Sequence, residues 1–342
     1  MTAVAPDEGT YRRLVEPYRS ELHAHCYRML GSAHDAEDAL QEAMLRAWRG
    51  LPSFEGRSSQ RSWLYRIATN TCLDLIARRK KRVLPVDYGP AADPHDGPGK
   101  PLVESVWVEP FPDETLVVED GFAAPEARYE QREGVELAFI AALQHLPARQ
   151  RAVLILREVL GFSAGEVAQT LQTSVASVNS ALQRARKTVD ERLPERSQQA
   201  TLRAIGDEQL REVVDGYVDA WERGDVEAVV AMLAQDAVIA MPPMPTWYRG
   251  REAAAVFLTE FAFAARWAGS EFVAQERRVR LVRTRANGQL AFGAYGLDPE
   301  SGVLRPYALQ VLGLRGRQIG EITGFVSPRH FARFGLPAEL SV

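Results

Sequence analysis

The sequence predicts a multidomain chain: two all-α blocks, the second carrying a helix-turn-helix, followed by one α+β domain. Three observations carry this. At 342 residues the chain is too long for one ordinary domain and suggests two or three. Apolar residues recur at helical spacing on both sides of an acidic tract rich in Pro and Gly. After about Ile205, helical patterns give way to strand-like runs separated by turn signals.

Composition narrows the class. Apolar residues make up 46% of the chain, enough to build the cores of a soluble globular protein. No apolar run is long enough to span a bilayer, and the first residues lack a basic segment followed by an apolar one. A cytoplasmic protein without membrane insertion is expected. The two cysteines, Cys26 and Cys72, both fall in helical patterns and read as buried thiols; their number and spacing suggest no zinc site, and no cofactor is expected. The net charge of −4 does not by itself point to nucleic acid, but the charge is unevenly distributed, and local patches decide binding.

Residues 11–30 carry Leu14, Val15, Tyr18, Leu22, Cys26, Met29 and Leu30 at helical spacing, with Gly31 as a stop. Ser32 can cap the next helix, whose buried side is Leu40, Ala43, Met44, Ala47 and Trp48. Its other side, Asp35, Asp38, Gln41 and Glu42, is acidic and amide-bearing: a solvated face or a protein-binding one. Pro52, Gly56 and nearby serines mark a loop. Ser62 can cap a helix running to Arg82, with Leu64, Ile67, Ala68, Thr71, Cys72 and Leu75 inward. Arg61, Trp63, Arg66 and Asn70 lie on or beside its other face, and it ends in Arg78, Arg79, Lys80, Lys81 and Arg82. Five consecutive cations repel one another unless an anion screens them, and a phosphate backbone would. An aromatic and an amide beside bases suit an unstacked base. The plainer alternative is a structural Trp and a solvated basic helix end.

Residues 83–130 read as an acidic, Pro/Gly-rich linker, poorly ordered or extended. Trp107 and Phe111 within it could dock on a basic channel or on another domain. Residues 131–195 are helical again. In Ser163–Lys187, Ser163 and Glu166 form a capping box and Val167, Ala168 and Leu171 share one face. Gln172 and Thr173 make a turn, and Ser174 can cap a second helix with Val178, Ala181 and Leu182 inward. That leaves Ser174, Ser177, Asn179, Ser180, Gln183, Arg184, Arg186 and Lys187 outward. Small side chains that allow close approach, amides for base edges and cations for phosphates suit a helix in a major groove.

From about Ile205 two amphipathic helices lead into a short strand, AVIAM, and the prolines 242, 243 and 245. A helix over 251–264 and strands over 271–284, 289–297, 303–314 and 318–326 follow. Asn287–Gly288 is a strong hairpin signal. Helices followed by a meander read as an α+β domain. Trp221, Met241, Met244, Trp247, Tyr248, Phe257, Phe261 and Tyr307 are candidates for an apolar pocket, or for ordinary core. Asp236, Asp298, Glu321 and His330 are the candidate acids and base, each with a plainer reading as cap, turn or surface residue.

Two separated blocks resemble the sigma-70 family of bacterial sigma factors, extracytoplasmic-function group. DAEDALQEAMLRAW with FEGRSSQRSWLYRIATNTCLDLIARRKKR resembles region 2, a helical bundle over 8–82. LPARQRAVLILREVLGFSAGEVAQTLQTSVASVNSALQRARKTVDERL resembles region 4, over 131–195. Residues 205–342, through YVDAWERGDVEAVVAMLAQDAVIAMPPMPTWYRGREAAAVFL, are similar to SnoaL-like domains of the nuclear-transport-factor-2-like superfamily, α+β cone-shaped barrels. Sigma factors with such an extension form a long type of the group. The linker here is longer and richer in Pro than in minimal members.

The resemblance implies roles. Asp35, Asp38, Gln41 and Glu42 would bind the clamp helices of core RNA polymerase, whose β and β′ subunits are the expected partners together with promoter DNA. Arg61, Trp63, Arg66, Asn70 and the run Arg78–Arg82 would melt and hold the −10 element. The outward residues of the second helix-turn-helix helix would read the −35 element. The linker would enter the channel that RNA later occupies, and the C-terminal domain would modulate initiation by folding back on the sigma regions or touching polymerase. A separate anti-sigma protein is a candidate partner. No catalysis is expected. Two other classes stay open: a SnoaL-like enzyme or ligand sensor fused to a DNA-binding module, and a duplex-binding repressor, which would need neither the acidic helix nor the −10 segment.

Overall fold

The computed structural model describes residues 8–54, 56, 59–102, 106–116, 134–263 and 279–342. The chain forms two compact units: the described parts of Met1–Arg82 with Thr115–Glu195, and of Val83–Glu114 with Arg196–Val342.

In the first unit the continuous helix expected over 11–30 is broken. Helix α1, Glu8–Leu14, stops and α2, Arg19–Leu30, restarts after one 3-10 turn. Pro17 lies in that turn, where its missing N–H cannot extend α1. Gly31 ends α2 in the left-handed conformation (φ 68°). Ser32 caps α3, Ala33–Gly50, accepting from the Asp35 N–H at 3.0 Å. Helix α4 spans Gln60–Ile76, and its cap is Ser59, not Ser62; the Ser59 hydroxyl accepts from the Ser62 N–H at 3.1 Å. Cys26, Tyr27, Met29, Leu40, Leu64, Tyr65 and Cys72 close the core of α2, α3 and α4.

The second block holds α5, Leu137–Gln144, and α6, Ala148–Leu154, which continues as a π turn over Ile155–Val159. Next come α7, Ala164–Thr170, and α8, Val175–Asp190. The capping box of Ser163 and Glu166 forms as expected, and Ser174 caps α8. The two blocks, expected as separate domains, share this unit. The Arg28 Nε donates to the Gly134 carbonyl at 2.8 Å. Arg151 donates to the Gln144 side chain at 2.7 Å and to the Met29 carbonyl. Tyr65 meets Phe162 edge to face at 5.2 Å. Burial lowers the pKa of Arg28 and of Arg151 to about 10, so both remain cationic at neutral pH.

The second unit is a six-stranded sheet ordered β2-β1-β6-β5-β4-β3. The strands are β1 Leu233–Ala240, β2 Trp247–Arg249, β3 Val279–Ala286, β4 Gln289–Leu297, β5 Leu304–Arg315 and β6 Gln318–Phe325. Neighbours are antiparallel except β1 and β6, which run parallel. Asn287 (φ 56°) and Gly288 (φ 70°) make the two-residue hairpin that the sequence signals. The helices are α9 Gln198–Ile205, α10 Asp207–Arg223, α11 Val226–Met232, α12 Arg251–Phe257 and α13 Arg329–Arg333. Residues 271–278 of the strand expected over 271–284 lie outside the described residues, as does Ala264 of the helix expected over 251–264. That helix turns into a π turn over Leu258–Ala262.

Residues 83–114 correct the expectation of a poorly ordered tether as far as they are described: this segment is a strap on the C-terminal unit. Its Ala92 N–H donates to the Trp247 carbonyl at 2.9 Å, and the Trp247 indole donates to the Gly89 carbonyl at 2.8 Å. The Leu102 N–H donates to the Pro243 carbonyl at 2.9 Å. Phe111 exchanges two 2.9 Å bonds with Asn287: its N–H donates to the side-chain oxygen, and its carbonyl accepts from the Asn287 N–H. The Asp113 carboxylate accepts from the Gly288 N–H at 2.7 Å and pairs with Arg285. Trp107 and Phe111 are buried. Phe111 is seated on the C-terminal domain through Asn287, while the Trp107 ring meets Tyr88 of the strap itself at 5.5 Å.

His25 gives the helical unit a defined acid sensitivity. Its Nε2 lies 2.9 Å from the Thr69 hydroxyl, and burial, reinforced by Arg28 and Arg61, pushes its pKa down to about 3. The native state therefore refuses a proton that the unfolded chain accepts near pH 6.5. Stability is complete above that value and falls with pH towards 3, by up to about 1.4 kcal/mol per pH unit. Urea unfolding of wild type and His25→Gln at pH 7.5 and 5.5 should give a distinctly smaller loss on acidification for the variant. Equal losses would exclude His25 as the cause.

Candidate nucleic-acid interface

Three surfaces of the helical unit carry the residues singled out by the sequence. On α8, Ser174, Ser177, Asn179, Ser180, Gln183, Arg184, Arg186 and Lys187 are all exposed, while Val178, Leu182, Ala185 and Val189 are buried. Inward Val178 and Leu182 therefore fix the orientation of the outward set. Arg186 is held by an ion pair to Glu158, and the Ser174 and Ser177 hydroxyls are 2.9 Å apart. Gln172 takes φ 51° in the turn before α8, a strain that a polar residue tolerates better than a branched one. Glu166 in the capping box is held ionised below its usual range, chiefly by the Ser163 N–H.

On α3, Asp38 and Gln41 are exposed, and Glu42 is half-buried with its carboxylate accepting from the Arg46 Nε at 2.8 Å. Asp35 does not share this face. It is 3% exposed, and its carboxylate accepts from Arg82 Nη2 at 2.6 Å and Nε at 3.2 Å and pairs with Arg79. Its place at the start of α3, beside the Ser32 cap, turns it inward towards the end of α4. Sequence reasoning passed over Leu45, which is 50% exposed on the same helix. Its absence from the apolar stripe of Leu40, Met44 and Ala47 was the signal for it. The expected inward residue Trp48 is half-buried, edge to face with Tyr11 at 5.0 Å.

On α4 the outward ladder is Arg66, Asn70 and Asp74, all exposed. Trp63 departs from expectation: it is 7% exposed and packs on Phe54 with ring centroids 4.9 Å apart, because the 51–54 turn folds back over it. Arg61 is half-buried. It donates to the Leu160 carbonyl at 3.0 Å and lies over the Phe162 ring at 4.4 Å. The basic run is not helical, since α4 ends at Ile76. Residues 78–82 turn back instead, which separates their charges and lets Arg82 reach Asp35. Arg82 is thus buried, whereas Arg78, Arg79, Lys80 and Lys81 remain exposed.

In the C-terminal unit, Trp221, Met241, Met244, Tyr248 and Phe257 belong to the hydrophobic core, with Phe261 and Tyr307 packed against it. Tyr248 and Phe257 stack at 5.0 Å. Trp247 faces the strap. The candidate acids do not converge on His330. Asp236 is bound to Arg315 on the surface, Asp298 accepts from Ser301 in a turn, and Glu321 accepts from Thr323 at 2.8 Å. Burial raises the pKa of Glu321 and lowers that of His330 to about 4. His330 lies edge-on to Phe325. Among the described residues no group of three or more His, Cys, Asp or Glu could hold a metal ion, and no helix is long and apolar enough to cross a membrane.

A helical unit that exposes a polar, basic second helix of a helix-turn-helix, in a chain that also carries an α+β unit, has the features of a DNA-binding protein with a fused second domain. Comparison with known proteins gives the family. Residues 14–82 match sigma-70 region 2, residues 136–189 match sigma-70 region 4, and residues 214–303 match the SnoaL-like domain. The extracytoplasmic-function (ECF) RNA polymerase sigma factor SigG of Mycobacterium tuberculosis is 40% identical over 97% of this chain and 85% of its own length. SigW of Bacillus subtilis is 29% identical over 55% of this chain and 90% of its own. The crystal structure of M. tuberculosis SigJ shares the fold, with a TM-score of 0.58 at 21% identity, over 97% of this chain and all of that one. The chain belongs to the ECF group of sigma-70 family sigma factors, in the form that carries a SnoaL-like C-terminal domain.

The inward position of Asp35 yields a contrast between neighbouring carboxylates. Asp35→Asn leaves buried Arg82 without its counter-charge and should cost about 3 kcal/mol in urea unfolding of the helical unit. Asp38→Asn, on the exposed face, should stay within about 0.5 kcal/mol of wild type. Similar costs for the two would refute the buried pair.

Proposed function

We propose that this chain directs core RNA polymerase to a two-element promoter and opens it, acting in the cytoplasm. The exposed face of α8 is the observation that carries the reading. Asn179, Gln183 and Arg184 supply donors and acceptors for base edges, while Ser177 and Ser180 leave room for close approach. Lys187 and Arg186 suit flanking phosphates. This face would read the −35 element.

The −10 element falls to α4. Arg66 and Asn70 are the exposed candidates for an unstacked base and its backbone, with Arg78, Arg79, Lys80 and Lys81 on phosphates. Trp63 and Arg61 would contribute after the 51–54 turn and the Leu160 contact release them; as they stand, they support the site from below. Asp38, Gln41 and Glu42, with Leu45 among them, would bind the polymerase clamp on β′, and region 4 would face β. An apolar anchor within a polar face is a common arrangement for a protein–protein contact.

The C-terminal domain would tune this activity through the strap. Residues 83–114 follow directly on the basic run, and the bonds of Gly89, Ala92, Leu102, Phe111 and Asp113 commit them to the C-terminal unit. A strap so held is not free to enter a polymerase channel, so its release is the natural point of control.

Run-off transcription with purified core polymerase, using genomic fragments that include this gene's own upstream region, tests the reading. The full chain should initiate. Arg184→Glu should lower initiation at least about tenfold, the size of one lost base contact, while core binding is unchanged. Absence of core binding by the full chain would overturn the reading. A chain ending at Pro194 should initiate at a different rate, and an equal rate would exclude C-terminal control.

A further inference from the structure

The helical unit contains a cleft of about 330 Å³ whose outer cations overlap the proposed −10 surface but whose interior, with Arg151, serves none of these roles. One wall is the run Arg79–Arg82 after α4. The other is the corner between α5 and α6, from Gln144 to Ala148, with Arg151 behind it. Arg79, Lys80, Lys81, Arg82 and Arg151 put five cations around it, against one carboxylate, Asp35. That carboxylate is already shared by Arg79 and Arg82. Lys80 pairs with no carboxylate among the described residues, and Lys81 donates to the His145 Nδ1 at 2.8 Å.

Arg151 is the telling group. It is 5% exposed, and its hydrogen bonds go to neutral acceptors: the carbonyls of Met29, Gln144 and Leu146 and the Gln144 side chain. Its Nε is buried without any partner. A buried guanidinium with no carboxylate leaves an uncompensated charge at the back of the cleft. Leu30, Ile76, Leu146 and Pro147 give the cleft an apolar side as well.

We propose that this cleft binds a small nucleotide-sized molecule bearing two or more linked phosphates. The surplus of cations matches a polyanion rather than a single carboxylate, and Arg and Lys together are the usual phosphate set. The volume lies within the range of small-ligand sites, and the apolar side suits a sugar or base. Because both helical blocks line the cleft, an occupant holds them together. It also withdraws Arg79, Lys80 and Lys81 from DNA.

Calorimetry on the full chain at about 150 mM salt, where screening suppresses diffuse surface binding, tests this with inorganic pyrophosphate and ADP as the ligands. Saturable binding of at least one of them, one per chain, is expected. Ala148→Glu places a carboxylate on the cleft wall in a first helical turn, which tolerates Glu. It should weaken binding at least tenfold, and Lys80→Gln severalfold. Arg12→Glu makes a larger charge change on an exposed helix away from the cleft and should leave binding unchanged. The proposal fails if neither ligand saturates, if Arg12→Glu weakens binding as much as Ala148→Glu, or if only a single-stranded oligonucleotide binds. No step of the experiment involves polymerase or a promoter, so its result is independent of the transcription assay.

Discussion

The buried pair of Asp35 with Arg82 organises the helical unit. A charge at the first turn of α3 reaches the residue that ends region 2, and the chain between them is set by that contact. A run of five cations would otherwise extend α4 with its charges crowded along one helix. Folding the run back gives Arg82 a partner inside and leaves four cations outside. The same contact shapes one wall of the basic cleft, and it fixes the point from which the strap departs. Removing one partner from such a pair costs far more than the pair contributes, so its importance is positional.

The second constraint is the way the two helical blocks meet. Arg28 and Arg151 cross between them and donate to backbone carbonyls and one amide. Such bonds are directional, yet they carry no ion-pair strength. Around them are Tyr65 on Phe162, Arg61 on the Leu160 carbonyl and the Ser62 hydroxyl on Glu166. Several of these groups stand at the edge of surfaces proposed for DNA, so the packing of the blocks and the exposure of Arg61 are linked.

Much of this was legible in the sequence, and the misses have a common cause. Local chemistry read well: the Ser163–Glu166 capping box, the Ser174 cap, the Asn287–Gly288 hairpin and the outward face of α8 depend on neighbours in sequence. Pro17 should have broken the first helix on the same grounds. What periodicity could not supply was long-range pairing. Asp35 and Trp63 look outward by position and are inward because of Arg82 and Phe54. Helix α9 was missed because only Leu202 and Ile205 of it reach the apolar core, and polar bonds from Gln198 to Leu314 and Gln199 to Gly288 do much of the anchoring. The strap looked like a tether because most of its anchors are backbone groups, which composition does not reveal.

The strap also has a meaning in time. Phe111 waits for Asn287, which lies 176 residues further along the chain. At ordinary rates of synthesis, roughly 5–20 residues per second, that interval is about 9–35 s. Before it ends the ribosome has made both helical blocks, and region 2 and region 4 can fold while residues 83–114 have no seat. A nascent chain therefore passes through a stage in which its linker is unclaimed and its C-terminal domain does not yet exist. Whatever the finished molecule withholds by holding the strap, the newborn molecule has not yet learned to withhold.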